Sequence, residues 1–266
     1  MPKNIPFVPA DDLSKLWRAI IEFDMLAPGD RILVGLSGGK DSMLLTAMLA
    51  EIKKFSPIPF DLACYTVNAM FAPNFPKQEL MDFCAHYGVE HYSDDVDIMS
   101  AHAQKGGSPC FTCAYFRRAA TNRRAKELGF NKVALAHHND DAVETFFMNV
   151  MTSGQLRTFL PVTPLSRSGI TVLRPLLYYR EQEICDLVAK LGIKPLKNPC
   201  PYDGHTMRQD VKEHIAELNE RYPEVYDHLL AAMRSSDKQE LWPAKPTDKE
   251  MVAKFRAFWK RKPKET

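Results

Sequence analysis

The sequence predicts an α/β fold, a doubly wound parallel sheet, on three observations. Short β-branched or apolar runs alternate with longer amphipathic ones, the pattern of strands wound with helices. Several helical runs stop at Gly88, Gly129 or Gly192, where a left-handed residue closes a helix. A glycine-rich turn, Ser37 to Ser42, falls directly between the first strand and the first long helix.

The elements follow in order. Asp11 to Met25 reads as an amphipathic helix with Leu13, Trp17, Ile20 and Ile21 on one side, ended by Pro28 and Gly29. Strands are expected at Arg31 to Leu36, Asp61 to Asn68, Glu90 to Asp97, Lys132 to His137 and Thr171 to Leu173. Helices are expected at Lys40 to Phe55, Lys77 to Tyr87, Cys113 to Leu128, Asp140 to Met151 and Glu181 to Leu191. After Pro199-Cys200-Pro201 the strand signals stop, and Met207 to Asn219 and Pro223 to Arg234 read as helices. The chain therefore divides into an N-terminal helix (1–27), the α/β domain (28–201) and a helical, basic appendage (202–266).

Composition narrows the function classes. With 45% hydrophobic and 26% charged residues the chain is an ordinary globular one, and its net charge of +2 announces no whole-chain attraction to nucleic acid. Any basic surface must be local. No secretory signal is read in Met1 to Asp12, and no window approaches roughly 18 consecutive apolar residues. A cytoplasmic protein without a membrane partner is expected. Six cysteines in a reducing compartment point to metal or redox chemistry rather than disulfides.

The turn after the first strand is a phosphate site by chemistry. Gly38 and Gly39 let the backbone turn so that N–H groups and a helix N-terminus can face an anion. Ser37 and Ser42 add hydroxyls, Lys40 adds charge, and Asp41 can hold a Mg²⁺ carried by the phosphates. A Walker A loop would need Gly in place of Val34 and Ser or Thr in place of Asp41, so that motif is excluded. The segment Ser37-Gly-Gly-Lys-Asp-Ser42 resembles the PP-loop of the ATP pyrophosphatase superfamily, whose members cleave ATP to AMP and pyrophosphate and adenylate a carbonyl oxygen.

Two further segments carry the same resemblance. Ala136-His-His-Asn-Asp-Asp-Ala-Val-Glu-Thr145 closes a strand and opens a helix, setting His138, Asp140 and Asp141 near the carboxyl edge of the sheet, where such sheets bind ligands. It is similar to the H-H-x-D-D-x-x-[EQ]-T element of RNA-modifying PP-loop enzymes. Val172-Leu-Arg-Pro-Leu176 with Arg180-Glu181 resembles their R-P-L strand and the helix start that follows, which makes Arg174 a candidate for a phosphate or for developing charge.

Three cysteines stand apart. Cys110 and Cys113 share one turn at a helix start, and Cys200 sits between two prolines 87 positions beyond Cys113. A helix N-terminus lowers thiol pKa, which suits metal ligation or a redox dithiol. Zinc would need a fourth ligand such as His205, whereas an iron–sulfur cluster can leave one iron without a protein ligand. Cys64, Cys84 and Cys185 read as small buried hydrophobes. The trio resembles the pattern of the tRNA 2-thiocytidine synthetase branch of the PP-loop superfamily, in which such cysteines hold a 4Fe-4S cluster whose open iron carries sulfur. Two departures from that branch are Asp203, where a further cysteine is common, and Thr152-Ser-Gly-Gln155 in place of a Gly-Gly-rich segment.

The resemblance implies an ATP-dependent tRNA sulfurtransferase. Lys40, the turn amides and Mg²⁺ on Asp41 and Asp141 hold ATP, with His138 and Asp140 beside them. A base oxygen of an anticodon-loop cytidine is adenylated, and sulfur from the Cys110, Cys113 and Cys200 cluster displaces AMP. The partners so implied are tRNA and a sulfur donor, a cysteine desulfurase or sulfide; a homodimer is one open option for the assembly. Thiolation of uridine or of a small molecule, and a zinc or dithiol RNA-binding module without turnover, are the alternatives. For RNA, Arg117, Arg118, Arg123, Arg124 and Lys126 form a basic strip, and Lys245 to Lys264 carries eight Lys or Arg beside Met251, Val252, Phe255, Phe258 and Trp259 at helical spacing.

Overall fold

The computed structural model describes residues 8–71, 74–98, 109–196, 207–234 and 242–260. Its sheet has six strands in the order β3-β2-β1-β4-β6-β5: β1 Arg31–Gly35, β2 Asp61–Asn68, β3 Glu90–Asp95, β4 Lys132–Ala134, β5 Val162–Leu165 and β6 Ile170–Leu173. All neighbours pair parallel except β5, which runs antiparallel to β6 at the edge. The strand absent from the sequence expectation is β5. It is four residues long and contains Pro164, and proline is tolerated only where a strand edge needs no donor.

Nine α-helices are described: α1 Ser14–Glu22, α2 Lys40–Phe55, α3 Lys77–His86, α4 Pro109–Glu127, α5 Asn139–Ser153, α6 Glu181–Lys190, α7 Met207–Arg221, α8 Val225–Ala232 and α9 Asp248–Trp259. Gly88, Gly129 and Gly192 all have positive φ (66°, 74° and 63°) at helix ends, as the stop signals imply. Helix α4 starts earlier than expected, with Pro109 in its first turn, a position where the missing N–H costs nothing.

Alternation along the central strands builds two cores. Ile32, Val34, Leu62 and Cys64 face a cluster with α1, α2, α3, α6 and Phe258 of α9. Leu33, Ala63, Tyr65 and Val67 face α4 through Ala120 and Ala125. Burial on both faces explains why β1 and β2 read as continuous apolar runs. Each such Leu, Ile or Val contributes about 1.5–3 kcal/mol. A third cluster joins Ala142, Val143 and Phe146 of α5 to Val211 and Ile215 of α7, Tyr226 and Trp242.

The chain order makes β1 and β4 neighbours, with β2 and β3 on one side and β6 on the other. That is the topological switch point, the crevice at which open parallel sheets bind ligands. The turns that leave β1 and β4 both open into it.

Candidate active site at the switch point

The loop after β1 is held by its own serines. Ser37 N donates to Ser42 Oγ (3.1 Å), the two hydroxyls lie 3.0 Å apart, and Ser42 Oγ donates to the Gly39 carbonyl (3.0 Å). Gly38 has φ +85°, and a Cβ there would lie 3.0 Å from Leu196 Cδ1, so both conformation and space require glycine. The N-cap of α2 is Gly39, which offers no side chain to its first turn. Those amides are left to an anion.

Lys40 Nζ lies 3.0 Å from Asp41 Oδ1 and 3.2 Å from Glu181 Oε1. Burial works against its ammonium, but the two carboxylates outweigh it and raise its pKa. The cation is fully formed where the loop needs it.

From β4, the turn into α5 brings His138 and two aspartates to the same place. Buried His138 has Nε2 3.5 Å from Asp141 Oδ2 and 4.0 Å from Asp41 Oδ1, and Nδ1 3.6 Å from Asp140 Oδ2. Burial lowers its pKa, yet the surrounding carboxylates prevail and raise it. Asp140 is buried as well, but Arg180 Nε (3.1 Å) and the Glu181 amide (2.8 Å) bind its carboxylate. Those partners and His138 overcome desolvation and hold its pKa far below the carboxylate range. Asp140 thus acts as the clamp that fixes the start of α6 to the start of α5. Arg180 in turn lies 3.7 Å from the Tyr226 ring centroid.

Asp41 and Asp141 are differently placed. Asp141 Oδ2 accepts from the His138 amide (3.0 Å), and both carboxylates approach one nitrogen, His138 Nε2. Asp41 Oδ1 is buried and accepts no hydrogen bond of good geometry, although Lys40 Nζ is near. Two adjacent carboxylates are the hard oxygen donors that Mg²⁺ takes. Among the described residues no group of three or more His, Cys, Asp or Glu is placed to hold a metal ion.

A family model described as the PP-loop domain matches residues 13–218. The chain is 34% identical over 226 residues to the tRNA-cytidine(32) 2-sulfurtransferase of Ralstonia pickettii (strain 12J), covering 84% of this chain and 71% of that one. It is 36% identical over 222 residues to the enzyme of the same name from Dichelobacter nodosus (strain VCS1703A), covering 81% and 82%. The chain belongs to the PP-loop family, in its tRNA-cytidine(32) 2-sulfurtransferase branch. Among solved structures it is similar to the U34-tRNA thiolase NcsA from Methanococcus maripaludis with its 4Fe-4S cluster. The TM-score there is 0.66 at 23% identity, over 81% of this chain and 75% of that one, and the likeness is one of fold.

The other expected residues of this PP-loop protein distribute unevenly. Cys110 is exposed and Cys113 half-buried in the first turns of α4, while Cys200 and His205 lie outside the described residues. Thiols are the soft donors of zinc and iron–sulfur sites, and two within one turn fit such a group. Cys64 and Cys84 are buried as expected, whereas Cys185 is only half-buried. Arg174 lines a cavity of about 590 Å³ together with Ser37, Tyr115, Arg117 and Arg118. Its NH1 donates to the Leu160 carbonyl (2.6 Å) and Thr163 Oγ1 (3.0 Å). Burial lowers its pKa to about 10, which leaves it charged at neutral pH.

The basic strip of α4 is not one face. Arg117 and Arg118 line the cavity, but Arg123 pairs with Glu127 (3.7 Å), and Arg124 with Glu127 (3.3 Å) and Asp94 (3.9 Å). Sequence reading also missed the exposed Phe111 and Tyr115, one turn apart on α4, and the cations Arg208 and Lys212 of α7. Arg208 binds Asp141, Glu144 and Thr145, and Lys212 binds Glu181. Their spacing of four was visible in the sequence. Their partners, 31 to 67 positions away, were not.

Proposed function

We propose that the protein activates C2 of a cytidine in a tRNA anticodon loop with ATP and replaces its oxygen with sulfur. One observation carries the reading: the cavity that opens at Ser37 of the PP-loop is also lined by Tyr115 and Arg117, two and four residues beyond Cys113. Adenylation acts on the oxygen of C2 and sulfur insertion on C2 itself, so the two sites must share a space.

In this reading the loop amides and the Lys40 ammonium hold the phosphates, and Asp41 and Asp141 hold the Mg²⁺ that accompanies them. The base oxygen attacks the α-phosphorus, the bond to the bridging oxygen breaks, and pyrophosphate leaves with its electron pair. The loop cations offset the charge that develops there. The C2 oxygen is now part of a phosphoryl leaving group. Sulfur attacks C2, the C–O bond breaks and AMP departs. An iron–sulfur cluster on Cys110, Cys113 and Cys200 supplies that sulfur when bound. Arg117, Arg118 and Arg174 give the entering RNA a positive wall, and the exposed rings of Phe111 and Tyr115 offer faces on which unstacked loop bases can lie.

The test is to incubate purified protein anaerobically with ATP, Mg²⁺, sulfide and tRNA and to analyse both nucleotide and nucleoside products. AMP, pyrophosphate and 2-thiocytidine are expected. Lys40→Ala and Asp41→Asn should abolish AMP formation while iron content persists. Formation of ADP and phosphate would refute the adenylation step, and 2-thiouridine would reassign the substrate.

A further inference from the structure

Both oxygens of Asp141 are tied. Oδ2 accepts from the His138 amide at 3.0 Å, and Oδ1 accepts from Arg208 NH1 at 2.9 Å. The same NH1 reaches Glu144 Oε2 (3.2 Å), and NH2 reaches Thr145 Oγ1 (3.1 Å). Asp141, Glu144 and Thr145 lie at i, i+3 and i+4, one face of α5, so a single planar guanidinium is fixed at three points. Lysine has no such fork.

The helix that presents Arg208 is itself anchored. Val211 and Ile215 of α7 are buried against Ala142, Val143 and Phe146 of α5. One turn after Arg208, Lys212 holds Glu181, whose other partner is Lys40 of the loop. Two cations of α7 thus end on acids that border the phosphate site. Glu144 is 4% exposed, and a carboxylate kept at that depth has a use if it holds the guanidinium on Asp141. Tying two helices together needs one acid, not two.

We infer that Arg208 is a positioning residue of the nucleotide site, which sets the Asp141 carboxylate in the orientation that the nucleotide's cation requires. The inference rests on the reading of Asp141 as a ligand of that cation. It makes the helix beyond the α/β domain a working part of the ATP site. Partners of this kind, which orient a metal ligand without touching the metal, are each worth about 10- to 100-fold in metal affinity.

The competing role is plain attachment of α7 to α5, and two variants separate them. Arg208→Met leaves Glu144 buried without its hydrogen-bond partner, so the double variant R208M/E144Q fixes a neutral side chain there and should melt near the wild type. Binding of Mn²⁺ in the presence of ATP is then followed on the full chain by the electron paramagnetic resonance of free Mn²⁺. The double variant should need about tenfold more Mn²⁺ or greater, and Arg208→Lys, which keeps the charge and loses the fork, should fall between it and the wild type. Wild-type Mn²⁺ affinity in either variant would overturn the inference and leave Arg208 as attachment. Asp141→Asn is the control. If it too binds Mn²⁺ and ATP as the wild type does, the assignment of Asp141 itself fails, and the role of Arg208 falls with it.

Discussion

Glu22 shows how a single buried charge ties distant parts of the chain. Its Oε1 accepts from Arg234 NH1 (2.8 Å) and its Oε2 from the Tyr178 hydroxyl (2.7 Å), with Arg18 Nε 3.4 Å away. The carboxylate is 5% exposed. Desolvation alone would raise its pKa, but Arg234, Tyr178 and Arg18 together lower it below 4.5. A carboxyl whose folded pKa is depressed adds stability above its unfolded pKa and loses it as pH falls through the folded value. The wild type should therefore weaken from pH 4.5 downward. Glu22→Gln should lose about 3 kcal/mol at pH 7, because the largely covered Arg234 side chain is left without its counter-charge, and should show a shallower acid limb. Urea denaturation at pH 7 and pH 3.5 checks both, and equal acid slopes for the two proteins would remove Glu22 from the account.

The same residue marks what could be read in advance. The PP-loop serines, glycines and Lys40 act on backbone within a few positions, so their chemistry is written locally and was legible. Glu22 carries no local sign of Arg234, 212 positions away, and Arg208 carries none of Asp141. Long-range ion pairs depend on how helices dock, and helix periodicity does not contain that.

At the scale of elements, α2 and β2 match their expected bounds because apolar content and flanking turns agree. The start of α4 and the strand β5 do not. Pro109 could be read as a breaker before the helix rather than as its first turn, and the four residues of β5 offer too few positions to show alternation. Moving the start of α4 to Pro109 places Phe111, 68% exposed, and Tyr115, 47% exposed, on one face beside Cys110 and Cys113. Stacking of a base on an aromatic ring is worth about 1–3 kcal/mol by alanine substitution. Phe111→Ala and Tyr115→Ala should each weaken tRNA binding by roughly 5- to 150-fold without changing its salt dependence, since no phosphate contact is lost. A melting temperature within a degree or two of wild type is expected from exposed positions. Unchanged tRNA affinity in filter binding would show that these rings face no RNA.

For the whole molecule, the helices at the two ends belong to the core rather than hanging from it. Trp17 of α1 packs on Phe258 and Trp259 of α9 with ring centroids 5.6 and 5.1 Å apart. Trp242 is fully buried and donates from Nε1 to the Phe159 carbonyl at 3.0 Å. A chain cut before Trp242 would lose this packing, so truncation is a poor test of whether the basic C-terminal segment binds RNA. Charge substitution is a clean one. Lys249 and Arg256 of α9 and Lys260 just after it are exposed, whereas Arg118 lines the cavity shared by Ser37 and Arg117. If the target base enters that cavity, the phosphates beside it must pass Arg118. Arg118→Gln should then reduce the slope of log K against log salt by about 0.7–0.9, while K249Q/R256Q/K260Q leaves the slope unchanged. The reverse outcome, a slope lowered by about two units in the triple variant and unaltered in Arg118→Gln, would move the RNA to the surface formed by α1 and α9. The α4 face would then serve only the thiols and the nucleotide.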